Sequence, residues 1–312
     1  MKIKTLTIGS ERVKNNVFLA PMAGYTDYAI RKLQIEQGAG LTFTELVSAK
    51  GLMYGSNGSK DLLFCGDDGD KTAVQLFGAD PYFMRSACES EYLKDYKIVD
   101  INMGCPVPKV FKNGEGSALL TDIKKAQSVI KECVKSGKNV SVKIRTGQKQ
   151  GDDVASEFCK MAEDSGAVLV TIHGRVREAY YSGEIDFKAI EKAKTSVNIP
   201  VIANGGIFTL EDADNVIERT GADGVMLARG AIANPFLVSE LTNSESKYNL
   251  KSYIIKHIEL SRSIYPDKKA TVEFRKFVPY YFKGLNGMKE LKQKLVLAEN
   301  TSEIIKIIEN NL

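Results

Sequence analysis

A lone cysteine, Cys105, stands in the stretch INMGCPVPK, just after an apolar run and directly before Pro106. A thiol with an unperturbed pKa of about 8.5 keeps its proton at neutral pH and is a usable general acid there. The other four cysteines, Cys65, Cys88, Cys133 and Cys159, bring the count to five, which is odd for a disulfide framework, and none pair at zinc or thiol-exchange spacing. Any chemistry at sulfur therefore belongs to a single thiol, and no metal site is expected. More chemically able side chains sit at the ends of other apolar runs: Gln75 in VQLFG, Asn102 in INMG, Lys143 and Arg145 in VKIRTG, and His173 in TIHGR. Lys143 lies between Val142 and Ile144, and an unpaired buried ammonium is costly, so it calls for an anionic or electron-rich partner. His173 alone would read as an ordinary strand-end histidine; its company gives it weight. His257, the only other histidine, falls in an amphipathic helix and is assigned to packing.

These side chains need a scaffold that gathers strand ends. Short β-rich runs alternate with helical spacing along VFLAPMAG, LTFTE, TAVQLFG, KIVDINMG, NVSVKIRTG, VLVTIHG, IPVIANGG and DGVMLARG, giving eight expected strands. Helix starts are marked by Thr26-Asp27, Thr121-Asp122 and Thr209. Runs that are apolar throughout suit a parallel sheet covered by helices. The turn after the first run, APMAGYTD, lacks the G-x-G-x-x-G of a doubly wound dinucleotide fold. The expected fold is an α/β (β/α)8 TIM barrel over residues 1–242, with its site at the strand C-termini. After Pro235 the strand signal stops, and a smaller helical domain is expected over residues 243–312, joined through LTNSES. The segments YGSNGSK and CGDDGDK, and the connection around Cys105, are expected to be loops.

The last two strand ends, IANGGIFT and MLARGAIANP, place Gly205, Gly206 and Gly230 ahead of helix starts. Barrels of this type commonly bind phosphate after strands seven and eight, and Arg229 would add a charged donor. A phosphate faced by a lysine, a histidine and a glutamine from neighbouring strands suits flavin mononucleotide, FMN.

Taken together, APMAGYTD, VQLFG, DINMGCPVPK, GEGSALL, VKIRTG, HGR, IANGGI and ARGAIANP resemble, in order and spacing over nearly the whole chain, the tRNA-dihydrouridine synthases of bacterial type. The resemblance implies an FMN-bearing barrel that reduces the C5–C6 double bond of uridines in tRNA with NADPH as reductant. Hydride would pass from flavin N5 to C6, and Cys105, in the place of the family's proton donor, would protonate C5. Pro21 and Met22 would meet the isoalloxazine through backbone atoms, Gln75, Lys143 and His173 would hold its polar edge, and Asn204, Gly205, Gly206, Ala228 and Arg229 would bind the ribityl phosphate. Asn102 and Arg145 would touch the target uracil. The chain departs from the family pattern at IANGG, where many members have N-G-D, at ARGA for G-R-G-A, and at FRKFV, where a histidine commonly follows Arg-Lys.

Charge locates the rest of the substrate. Residues 243–312 hold 13 Lys and Arg against 8 Asp and Glu, and the preceding 242 residues hold 30 against 31, so the net charge of +4 is C-terminal in origin. Neutralising phosphates supplies most non-specific affinity for nucleic acid. Arg275 and Lys276 in this region, with Lys109 beside Cys105 and Arg175 and Arg177 after His173, form an expected basic path for tRNA into the pocket. No apolar run reaches the roughly 20 residues that span a bilayer, and MKIKTLTIGSERVKNN lacks a signal-peptide core. No membrane or obligate protein partner is expected, and the cytoplasm is the expected location. Two other functions fit less of the chain. An FMN-dependent reductase or dehydrogenase of a small pyrimidine leaves the basic helices unused, and a non-catalytic RNA-binding protein leaves Cys105, Lys143 and His173 together for no chemical reason.

Overall fold

A computed structural model describes residues 1–312. Eight parallel positions close into a barrel: β1 Val17–Leu19, β2 Thr42–Phe43, β3 Thr72–Phe77, β4 Ile98–Met103, β5 Asn139–Arg145, β6 Leu169–His173, β7 Val201–Asn204 and β8 Gly224–Leu227. Beyond β2 the chain pairs again with β3 through Val47–Ser48. The ring shuts between β1 and the β2 approach, where Gly40 N–H donates to Val17 O at 2.8 Å and Leu19 N–H to Leu41 O at 2.9 Å. The expected helix starts hold: Asp27, Asp122 and Thr209 each accept a hydrogen bond from the first turn of the helices Tyr28–Glu36, Ile123–Val134 and Leu210–Thr220. The chain between 54 and 71, expected as loop, contains a short helix, Asn57–Asp61, and a 3-10 turn, Gly69–Lys71. The connection after Cys105 likewise folds into a helix, Pro108–Lys112, and a 3-10 turn, Gly116–Thr121.

Two apolar clusters divide the barrel wall. Val99, Ile101 and Met103 of β4, with Val140, Val142 and Ile144 of β5, face the surrounding helices in the larger one. The alternate positions face inward: Phe18, Phe43, Ala73, Ile98, Leu169, Ile202 and Met226 pack with Leu6, Ile8 and Val13 of an N-terminal hairpin. Successive side chains of a strand point to opposite faces, so β4 and β6 run from apolar to polar along their inward faces, and the inward residues of β5 named next are all polar. On β4 that inward series is Ile98, Asp100, Asn102; on β5 it is Ser141, Lys143, Arg145; on β6 Leu169, Thr171, His173. The strands therefore look apolar throughout only because their outer residues are.

The C-terminal residues form five helices, Leu250–Ile264, Asp267–Arg275, Val278–Tyr281, Lys289–Leu297 and Thr301–Asn311. The first lies against Tyr28–Glu36, where Gln34 Nε2 donates to Tyr253 Oη at 2.9 Å and to Pro235 O at 3.1 Å. Tyr253, Phe274, Phe277 and Tyr281 join the same buried cluster as the barrel's outer wall. His257 belongs to this packing: its Nδ1 lies 2.8 Å from Tyr281 Oη, and burial pulls its pKa down to about 3. No helix is long and apolar enough to cross a membrane.

Candidate active site

The C-terminal ends of the strands surround a cavity of about 300 Å³. Pro21, Met22, Asn102, Cys105, Lys143, Arg145, His173, Arg175, Asn204, Gly205, Gly206, Ala228 and Arg229 all line it, brought from six βα connections. Its lining includes Lys143, Arg145, Arg175 and Arg229 and not one carboxylate. Like charges held together with no carboxylate among them, and only Asp100 beneath the floor acting on Lys143, destabilise an empty site and favour an anion that enters it. The electrostatics register this. Burial, with Arg145 alongside, brings Lys143 down to about 8, and burial brings Arg145 down to about 10. Burial, reinforced by the cations Lys143, Arg145, Arg175 and Arg229, holds His173 well below its ordinary value, so the imidazole is neutral.

The remaining sequence-predicted residues sit around this cavity rather than in its wall. Gln75 lies beneath it, fully buried. Exposed Lys109 is on the helix Pro108–Lys112, and Arg177 stacks on Phe111 of that helix, its guanidinium carbon 3.7 Å from the ring centre. Arg275 donates through Nη2 to Ala298 O at 2.9 Å, tying two C-terminal helices together. Lys276 is paired with Glu273 and stands 5.7 Å from the ring of Tyr25, which with Tyr280 lines the cavity mouth.

The cysteine is clamped from both sides. Its N–H donates to Asn102 Oδ1 at 2.9 Å, and its carbonyl accepts from Ser117 Oγ at 2.7 Å. Burial pushes the Cys105 thiol up, against weaker opposing pulls from a Val107 backbone contact and the Arg145 and Lys143 charges. The thiol thus keeps its proton across neutral pH. Arg145 is committed elsewhere: Nε donates to Gly104 O at 2.7 Å and Nη1 to Val176 O and Tyr180 O at 3.0 and 2.9 Å. These bonds fasten the Cys105 loop to the loop after β6, and the residue lines the cavity as well. Met22 N–H is held by Thr26 Oγ1 at 2.8 Å, and Asn204 Nδ2 by Met226 O at 2.8 Å.

Sequence reasoning missed Asp100, Ser141 and Tyr181. Asp100 and Ser141 occupy inward positions below the cavity floor, and the only signal was a carboxylate and a hydroxyl in alternation with apolar residues. Tyr181, on the loop after β6, stacks on His173 at 6.5 Å and lies under the guanidinium of Arg229 at 5.4 Å; nothing in the sequence sets it apart from Tyr180.

Gly205 has φ +114°, and a Cβ there would stand 2.9 Å from His173 Cδ2 and 2.8 Å from Ile185 Cδ1. Backbone strain of this kind costs about 1–3 kcal/mol. Gly205→Ala is therefore expected to lower the melting temperature of the ligand-free protein and to displace His173, checked by thermal denaturation and a crystal structure of the variant.

The family model described as "Dihydrouridine synthase (Dus)" matches residues 18–311. The chain is 34% identical to tRNA-dihydrouridine synthase B of Pasteurella multocida, over 96% of each chain. It is also 34% identical to a probable tRNA-dihydrouridine synthase of Rickettsia conorii, over 92% of this chain and 90% of that one. Among solved structures, a variant of NCR from Zymomonas mobilis superposes with a TM-score of 0.57 at 16% identity, covering 80% of this chain and 94% of its own. TcOYE with pHBA does so with a TM-score of 0.55 at 13% identity, covering 80% and 95%. At these identities the structural likenesses establish the barrel fold. The family match, spanning every strand of the barrel and the C-terminal helices, establishes more: this chain belongs to the dihydrouridine synthase family of oxidoreductases.

Proposed function

We propose that this protein reduces the C5–C6 double bond of uridines in tRNA to dihydrouridine, with FMN as cofactor, NADPH as reductant and Cys105 as proton donor. The observation that carries the reading is the cavity itself, four cations with no carboxylate and a protonated thiol at its edge. Its residues fit a flavin phosphate and an electron-rich ring edge. Lys143 reaches into the cavity from β5, Gly205 and Gly206 present backbone at φ +114° and +70°, and Arg229 carries a guanidinium at the same end.

When bound, the reduced flavin supplies the hydride that adds to C6 of the uracil. Negative charge then develops at C5 and O4, and Cys105 Sγ gives its proton to C5, general acid catalysis by a group that burial keeps loaded. Lys143 and neutral His173 hold the polar edge of the ring, and Asn204, Gly205, Gly206, Ala228 and Arg229 hold the phosphate. Asn102 and Arg145 keep the cysteine loop in place beside the base. Residues 1–242 are the catalytic unit in this reading, and residues 243–312 grip the tRNA, continued by Lys109, Arg175 and Arg177 along the rim.

The test combines purified protein, NADPH and unmodified tRNA, and maps by nuclease fragments and mass spectrometry any uridine that gains two hydrogens. Gain at defined positions supports the reading. A yellow protein that oxidises NADPH without altering tRNA would overturn the substrate in favour of a small pyrimidine. A further outcome is expected at the mouth. Lys276→Glu should weaken tRNA binding for all sequences and lower the slope of log K against log salt by about 1 or more. NADPH-driven flavin reduction should stay unchanged, and a titration at several salt concentrations checks both.

A further inference from the structure

Below the cavity floor, three strands place three polar side chains at one level: Gln75 of β3, Asp100 of β4 and Ser141 of β5 are register partners. Asp100 is fully buried, an expensive place for a carboxylate. Its Oδ1 accepts from Ser141 Oγ at 2.6 Å and its Oδ2 from Gln75 Nε2 at 2.6 Å. Gln75 in turn accepts at Oε1 from Asn102 Nδ2 at 2.8 Å, and Asn102 Oδ1 accepts from the backbone N–H of Gly104 at 3.2 Å and of Cys105 at 2.9 Å.

A chain of amides has two directions, because each amide can turn end for end and exchange its donor for its acceptor. The backbone N–H groups of Gly104 and Cys105 only donate, which removes one of the two at the top, and above its pKa of about 6, raised by burial, the Asp100 carboxylate only accepts and removes the same one at the foot. With Asp100 at its foot, Gln75 must turn its NH2 down and its oxygen up. Asn102 must then offer NH2 to Gln75 and oxygen to the cysteine loop. Reversed, Asn102 would present its NH2 to the N–H groups of Gly104 and Cys105, donor against donor.

We propose that Asp100 is a positioning residue: it locks the foot of the Gln75–Asn102 chain in the direction that the backbone N–H groups of Gly104 and Cys105 require, and thereby holds the Cys105 backbone, and the thiol it carries, in place. The role of the thiol rests on the function proposed above, whereas its position does not. Asp100 lies outside the cavity lining and acts on the loop through two side chains; its charge also favours the ammonium of Lys143, so alkylation of the flavin-free protein is read beside turnover.

The experiment compares Asp100→Asn with the exchange Asp100→Asn/Gln75→Glu. The single variant is nearly isosteric but can turn its NH2 towards Gln75, so that the foot of the chain no longer agrees with its top in every conformer. The exchange restores an acceptor-only group, now at 75, so that Asn102 again has only one orientation. Two readouts are taken. One is iodoacetamide alkylation of Cys105 in the flavin-free protein, followed on its peptide, with the buried Cys65, Cys88, Cys133 and Cys159 as internal controls. The other is the single-turnover rate of dihydrouridine formation by pre-reduced protein. For Asp100→Asn, alkylation is expected to rise on the order of tenfold as the loop loosens and the thiol meets water. Turnover is expected to fall about 10- to 100-fold, as misplacement of a reacting group does. The exchange should return alkylation to the wild-type rate, a rescue that a purely structural role for the Asp100 carboxylate would not produce. Wild-type alkylation in Asp100→Asn, or no rescue in the exchange, overturns the proposal. If Asp100→Asn does not fold, Gln75→Met cuts the same chain one link later and must raise alkylation equally, or the proposal falls. Alkylation that follows the chain while no form acts on tRNA would uphold the positioning role and sink the substrate reading alone.

Discussion

Cys105→Ala is expected to slow dihydrouridine formation by about 10²- to 10⁴-fold, the range for loss of a positioned general acid, while NADPH bleaches the flavin at the wild-type rate. In the proposed reaction the two halves separate because the thiol is needed only when charge develops on the uracil. Alanine removes the sulfur and leaves the loop's backbone anchors, since Asn102 and Ser117 hold the main-chain N–H and C=O of residue 105. Cys105→Ser should be impaired almost as much, a hydroxyl being a far weaker acid than a thiol. The pH dependence has a definite sign. The acid form is active, and burial raises the folded-state pKa, so product formation should persist through neutral pH and decline only on the alkaline side of the ordinary thiol range. Stopped-flow flavin reduction by NADPH, and flavin reoxidation by tRNA at several pH values, check both statements. A variant that bleaches slowly as well would place Cys105 in flavin binding instead.

The second large effect is expected at Lys143. Its ammonium lies in a cavity whose other charged groups are all cations, and burial has brought it down to about 8 in the ligand-free protein. Binding an anionic, electron-rich cofactor favours the charged lysine and lifts its pKa, so above about 8 each binding event must also take up a proton. FMN affinity should therefore be flat below that pH and weaken above it, approaching tenfold per pH unit. Lys143→Met should lose that dependence and bind FMN roughly 10- to 100-fold more weakly at neutral pH, a charge-assisted hydrogen bond contributing about 1.5–3 kcal/mol. Fluorescence titration of the flavin-free protein against FMN from pH 7 to 9.5 reads both. A wild-type affinity that does not change with pH would separate Lys143 from the anion.

Much of this arrangement was legible in the sequence because it depends on chain-local features. Eight apolar runs with capped helices between them leave few options but a closed parallel barrel, and that fold alone says where strand-end residues converge. Cys105, Lys143, His173 and Arg229 were thereby assigned to one cavity from position along the chain, and Asn204 joined them through the family resemblance. Which partners these groups have was not legible, because a side chain's partner is set by the register between strands far apart in sequence. Asp100 shows the difference. Within KIVDINMG it is one polar residue in an apolar run, and its meaning comes from Gln75 and Ser141, 25 and 41 residues away, arriving at its own level. Arg145 shows the converse, a guanidinium with the right sequence neighbours for a substrate contact, whose Nε and Nη1 turn out to fasten two loops. Arg275 is likewise drawn into helix packing by Ala298 O, while Lys276, next to it in sequence, pairs with Glu273 beside Tyr25 of the cavity lining. The sequence by itself determined the barrel, its polar end and the lone thiol there, since periodicity, capping and residue chemistry are local. Only the tertiary structure decided which charges stand uncompensated and which hydrogen bonds aim the thiol, because both depend on distances that closing the barrel creates.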